Sequence, residues 1–210
     1  MSSIETLEVA GIKSAIHAMR NPYDSWDKTD TTITYDPFET RLTVGPADKE
    51  LSMRLAKAGT EHCKHLRMVE VWADISMPLY WWKEFDTYRT GVEKVSCSTM
   101  HKIHSRYLTF NDFQNVSSDN NVCLLEYIIP RLNGLIEKYK KSDYKDKDVW
   151  YTLVAELPSS YIQKRTVMMS YAALRQIYNQ RRGHKLNEWH EFREWIRTLP
   201  ESWMITDENE

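Results

Sequence analysis

Glycine, proline and cysteine are all scarce in this chain, at six, seven and three among 210 residues. No Gly-rich phosphate loop and no Gly-x-Gly-x-x-Gly run is present, so binding through a P-loop or a dinucleotide fold is excluded. The cysteines, Cys63, Cys97 and Cys123, are odd in number and scattered. That excludes a disulfide framework and paired metal-ligand spacing, and it predicts a reducing compartment, the cytoplasm. Apolar runs of membrane length are missing, as is a leader pattern, so no membrane partner is expected. Positive charge is not in excess either. A formal net charge of −2 excludes a general nucleic-acid binder, which would be basic.

Aromatics, by contrast, are plentiful: eight Trp, twelve Tyr and five Phe. Such side chains are costly to leave in water, and this number predicts that some sit at an interface or ligand pocket. The length suits one domain with a real core, and the expectation is a single domain over residues 1–210 with a loose acidic tail from Pro200.

Taken in order, residues 4–13 alternate as a first strand. Ser14 is a candidate cap for a short helix holding Ala15, Ile16 and Met19. Residues 19–28 form a loop built on Asn21-Pro22 and Asp24, and residues 29–47 read as irregular with one β-turn. Asp48 is a plausible cap for a helix to Ala58, which Gly59 ends. Residues 67–76 alternate as a strand with Val69, Val71, Ala73 and Ile75 on one face. After an irregular or briefly helical stretch at 105–120, residues 121–141 carry the clearest helical stripe, with Pro130 inside it. A solvated connector leads to a helix over 148–157. A strand over 162–171, a helix over 172–182 and another over 186–199 follow. Helices dominate and the strands are few and short, which predicts an α+β fold with helices packed on a small, mostly antiparallel sheet.

The chain is organised around Pro78-Leu79-Tyr80-Trp81-Trp82-Lys83-Glu84-Phe85-Asp86-Thr87-Tyr88-Arg89-Thr90-Gly91, continuing to Ser96-Cys97-Ser98-Thr99. Aromatics recur there at helical steps, charges stand among them, Gly91 breaks the helix, and small hydroxyl and thiol side chains follow. The plain reading is an amphipathic helix with a capped loop. The segment also resembles the signature region of the flavin-dependent thymidylate synthases. In that family an Arg-Gln-aromatic-x-Arg-His-Arg run leads to a Ser-containing stretch. Phe85 stands at the aromatic and Arg89 at the last Arg. A second block, Leu157-Pro158, Arg165-Thr166, Ala173 to Arg181 and Asn187-Glu188-Trp189, is similar to the family's C-terminal half. The departures are specific. Lys83-Glu84 replaces Arg-Gln, Thr87 and Tyr88 replace the first Arg and the His, Cys97 falls on the Ser, and Ala172 falls on the Arg of an Asn-x-Arg run.

The resemblance implies FAD, with NADPH and methylenetetrahydrofolate as cosubstrates, reductive methylation of dUMP or a related pyrimidine nucleotide, and a homotetramer with sites between subunits. It implies cofactor contacts from His62, His65, Arg89, Ser96, Ser98 and Thr99, and substrate contacts from Lys83, Glu84, Arg175 and Arg181. Arg181 and Ser98 are the candidate catalytic residues, Arg181 facing the pyrimidine ring. With Ala172 at the phosphate position, Arg175 or Arg165 would substitute. Arg20 and Ser25 stand where the family has an Ala-Arg-x-Ser run. His62 and His65 flank Cys63, but no second ligand pair stands elsewhere, so no metal is expected. A reactive Cys97 thiolate would need cations such as Arg89 and Lys94, and the plainer expectation is a buried, inert thiol. The departures keep a second reading open, a homologue that has lost the reaction and serves as a nucleotide- or protein-binding module.

Overall fold

The computed structural model describes residues 2–36, 40–114 and 119–206. Its strands are β1 (Ser3–Ala10), β2 (Thr32–Tyr35), β3 (Thr40–Thr43), β4 (Glu70–Pro78), β5 (Val92–Ser96) and β6 (Ile162–Ser170). Its α-helices are α1 (Ile12–Arg20), α2 (Pro46–Lys57), α3 (Leu79–Phe85), α4 (Thr99–Lys102), α5 (Asp119–Lys141), α6 (Lys147–Ala155), α7 (Tyr171–Gln180), α8 (Asn187–Arg197) and α9 (Trp203–Thr206). The class is α+β with an antiparallel sheet. The main sheet has the strand order β1-β4-β6-β5, and β2 pairs with β3 in a separate antiparallel ribbon. By contact density the chain falls into two compact units, the first comprising 1–5, 74–87 and 94–166, the second 6–73, 88–93 and 167–210.

The first unit is built around α5. Its stripe packs Leu125, Ile129, Leu132, Leu135 and Ile136 with Leu153 of α6 and with Ile103, Leu108 and Phe113. Leu124 stands outside that stripe and is 55% exposed. It precedes Leu125 by one position, and a helix turns its faces by about 100° per residue. Asp146 caps α6 by accepting from Asp148 N and Val149 N. Pro78 is the N-cap of α3, so the helix proper begins one residue later, at Leu79. The helix is short, but Trp81, Trp82 and Phe85 are all buried and pack on one another with ring centroids 4.8 to 5.4 Å apart.

In the second unit β1 ends at Ala10 because Gly11 takes a left-handed φ of 95°. Gly11, not Ser14, is the N-cap of α1. Residues 29–47 are not simply irregular. Thr32, Ile33, Thr34 and Tyr35 pair with Thr43, Leu42, Arg41 and Thr40, and β-branched residues suit such a ribbon. Residues 37–39 of that stretch lie outside the described residues. Asp48 does not cap α2. The helix opens at Pro46, and the carboxylate of Asp30 accepts from Ala47 N and Asp48 N instead. Asp48 lies inside, where Arg20 donates to its Oδ1 at 2.6 and 2.8 Å and Thr29 and Thr31 donate to its Oδ2. The tail is not loose over its described part: α9 buries Trp203, Met204 and Ile205. Residues 207–210 lie outside the described residues.

Candidate functional site

The second unit contains a cavity of about 490 Å³. Its floor is set by close backbone approach. Ser170 Oγ caps α7 by accepting from Ala173 N, and Ser170 N donates to Gly91 O at 2.9 Å. A Cβ on Gly91, whose φ is +69°, would stand 2.5 Å from that same Oγ, so the turn needs a glycine. From α7 come Ala172, Arg175, Gln176 and Asn179, which share one face at three- and four-residue spacing. The end of α2 and the following turn add Ala56, Gly59, Thr60 and Cys63, and Arg67 and Glu70 complete the wall with Thr90.

The charges in this wall are two guanidiniums and one carboxyl group. Arg67 is exposed and donates to Thr60 O at 3.3 Å, and the half-buried Arg175 donates to Ile205 O at 3.2 Å. A guanidinium has five donors, so the one bond of Arg67 leaves capacity for a ligand. Glu70 is half-buried, and its Oε2 is sealed from solvent with no hydrogen-bond partner. Burial pushes its carboxyl above the ordinary carboxylate value. With the α7 N-terminus alongside, this wall suits a ligand with an anionic end.

Of the expected site residues, Arg175 lines this cavity. Arg181 does not. Nε of Arg181 donates to Tyr88 Oη at 2.9 Å, and its guanidinium lies 4.3 Å from the Trp189 ring centroid. The cause is helical phase, since six residues carry Arg181 about 600° round from Arg175. Arg175 shares no helical face with Arg182, because α7 ends at Gln180 and Arg182 lies beyond it. His65 is 3% exposed, with Nε2 2.8 Å from Ser52 Oγ and Nδ1 buried without a partner. Burial lowers its pKa to about 4. It faces the interior, while His62 is exposed. Arg89 is exposed and makes no ion pair with a described residue. Ser96, Ser98 and Thr99 belong to the first unit. Ser98 Oγ accepts from His101 N as the N-cap of α4. Lys83 is exposed and Glu84 half-buried, both on α3.

Three further expectations change. Arg165 is not available to a phosphate, because it donates to Asp86 at 2.8 Å and lies 4.2 Å over the Trp82 ring. Lys94 joins the same carboxylate at 3.0 Å. Cys97 is exposed, and Cys63 is the buried thiol. Arg20 is committed to the buried pair with Asp48, and Ser25 is buried. Sequence reasoning missed Thr60, Arg67, Glu70, Gln176 and Asn179. The signals were modest: a charge opening an otherwise apolar strand at Glu70, and polar residues repeating with Arg175 along one helical face. Among the described residues no group of three or more His, Cys, Asp or Glu could hold a metal ion. None of their helices is long and apolar enough to cross a membrane.

No family model and no curated protein matches the sequence. Solved structures do match over nearly the whole length. Thymidylate synthase X of Helicobacter pylori, in a crystal structure with FAD and dUMP, aligns with a TM-score of 0.73 at 14% identity, covering 98% of this chain and 97% of that one. The fold is that of thymidylate synthase X. A second structure of the H. pylori flavin-dependent enzyme with FAD and dUMP gives the same TM-score at 15% identity, over 98% of each chain. The UMP/dUMP methylase PolB of Streptomyces cacaoi, bound with 5-Br dUMP, aligns with a TM-score of 0.64 at 14% identity, over 97% of this chain and 94% of that one. The thymidylate synthase X fold thus spans both compact units of the chain.

Proposed function

We propose that this protein binds a pyrimidine nucleotide, dUMP or a close relative, and transfers a one-carbon unit to it with a flavin. The observation that carries the reading is the nearly complete alignment with structures that hold FAD and dUMP or 5-Br dUMP. The cavity supports it. Its volume of about 490 Å³ lies in the roughly 300–1,000 Å³ range of small-molecule sites. Arg175 and Arg67 supply guanidiniums for a phosphate, and Thr60, Gln176 and Asn179 supply neutral hydrogen-bonding groups.

FAD is part of this reading. Its support is the resemblance, which implies cofactor contacts from His62, Arg89, Ser96 and Thr99; within the second unit the exposed Arg89 guanidinium suits a phosphate. The bound flavin supplies hydride transfer, with NADPH and methylenetetrahydrofolate as the sources of hydride and carbon. A homotetramer in the cytoplasm completes the reading.

The test is absorbance in the flavin bands after FAD addition and desalting, followed by conversion of dUMP to dTMP with both cosubstrates. Arg175→Ala should weaken dUMP at least about tenfold, roughly 1.4 kcal/mol. A protein that stays colourless and takes up no dUMP calorimetrically overturns the proposal. One observation favours the inactive-homologue reading. Thr87 and Tyr88 stand where the resembling family has Arg and His, and Tyr88 is 9% exposed beneath Arg181. Nucleotide binding without turnover would select that reading.

A further inference from the structure

Glu70 is an uncommon group to find in the wall of a cavity that carries two arginines. It opens β4, whose next residues alternate between buried and half-buried. Val71 and Ala73 fill the core face, so Glu70 lies on the opposite face with Trp72 and Asp74. Asp74 is satisfied, since Lys164 and Thr166 both reach its carboxylate at 2.6 Å. Glu70 is not. Among the described residues neither an arginine nor a lysine pairs with it, and Oε2 is buried without a hydrogen bond. Such a group costs stability, and more if it is charged.

A half-buried carboxyl group in the wall of a ligand-sized cavity, without a partner among the described residues, fits a ligand that brings the partner. The rest of the wall narrows what that ligand is. Arg67 and Arg175 attract an anionic end, and the carboxyl group wants an N–H donor at the other. A molecule with a phosphate at one end and a ring N–H at the other has both. Resting on the nucleotide reading above, we infer that Glu70 is a specificity residue. Its Oε1, the carboxyl oxygen that is not sealed from solvent, accepts the ring N3–H of a uracil nucleotide held in this cavity, while the arginines take the phosphate. Glu70 acts in recognition only and takes no part in the chemistry.

The test uses dUMP and its N3-methyl analogue, which keeps the phosphate but has no ring N–H. Calorimetric titration of the wild-type protein should show the analogue binding at least about tenfold more weakly than dUMP. In Glu70→Leu the two ligands should bind alike, both near the wild-type affinity for the analogue. Glu70→Gln, which retains an acceptor oxygen, should restore most of the discrimination. If wild type binds dUMP and the analogue equally, the Glu70 assignment is overturned and the nucleotide reading stands. If Glu70→Leu discriminates as wild type does, the methyl group is rejected sterically by other residues and the assignment is again overturned. If wild type binds neither ligand, the nucleotide reading falls and the assignment with it. Should Glu70→Leu fail to fold, the wild-type comparison and Glu70→Gln still decide.

Discussion

At the scale of single residues, two buried polar groups set how stability depends on pH. His65 has a pKa lowered to about 4 by burial, against about 6.5 in an unfolded chain. The unfolded state therefore takes up a proton first. The stability that a neutral His65 contributes is complete above about pH 6.5 and is lost as pH falls toward 4, to a total of ~3 kcal/mol. Urea unfolding at pH 7 and pH 4.5 should show this loss, and His65→Gln, which cannot titrate, should flatten it. Asp48 behaves differently. Burial pushes its carboxyl up, but hydrogen bonds from Thr29, Thr31 and Arg20 outweigh it and leave the pKa below the ordinary value. Its contribution is present above the ordinary carboxylate range and is lost only as pH falls below it. Asp48→Ala leaves the Arg20 guanidinium buried and unpaired, and should cost about 3–5 kcal/mol in urea unfolding. A loss under 1 kcal/mol would mean that Arg20 finds water instead.

At the scale of elements, Gly11 joins β1 to α1 with a φ of +95°, and a Cβ there would lie 2.0 Å from the Met68 carbonyl oxygen. Gly11→Ala should therefore destabilise by about 3 kcal/mol or more, through left-handed strain and a backbone shift together. Thermal unfolding measures it. Such joints mark the limit of what the sequence shows. The long helix α5, the strands β4 and β6 and the helices α7 and α8 follow from periodicity, because each has an apolar face to bury. The ribbon β2–β3 escapes, since Thr32 to Thr43 has little apolar alternation and is held by its own pairing. Asp48 reads as a cap from position alone, but Asp30, 18 residues earlier, takes that role and frees Asp48 to meet Arg20. The cavity was legible only at Arg175. Glu70 and Arg67 become neighbours of Arg175 through folding that brings the start of β4 to α7, and no local pattern encodes such a meeting.

At the scale of the whole molecule, the aromatic content does not require an interface. Trp81, Trp82, Trp189, Trp195 and Trp203 are each 9% exposed or less within a single chain. The α3 aromatics Trp81, Trp82 and Phe85 form part of the chain's own core. The homotetramer therefore rests on the resemblance to the flavin-dependent synthases, and light scattering at micromolar concentration should return four chains per particle. A monomer mass would remove the shared-site arrangement from the reading. The second unit owes much to its final described residues. Removing residues 201–210 takes away the buried Trp203, Met204 and Ile205, and should cost several kcal/mol, at roughly 2–5 for each large apolar side chain lost.

The bond from Arg175 to the Ile205 carbonyl at 3.2 Å joins α9 to the cavity wall. Docking of α9 and occupation of the cavity are therefore linked equilibria, and each must favour the other by the same free energy. A protease is a convenient witness. With α9 undocked, the segment between Leu199 and Trp203 is open to cleavage, so a nucleotide engaging Arg175 should slow cutting there in proportion to its occupancy. The same digestion of Arg175→Ala should run at one rate with or without nucleotide.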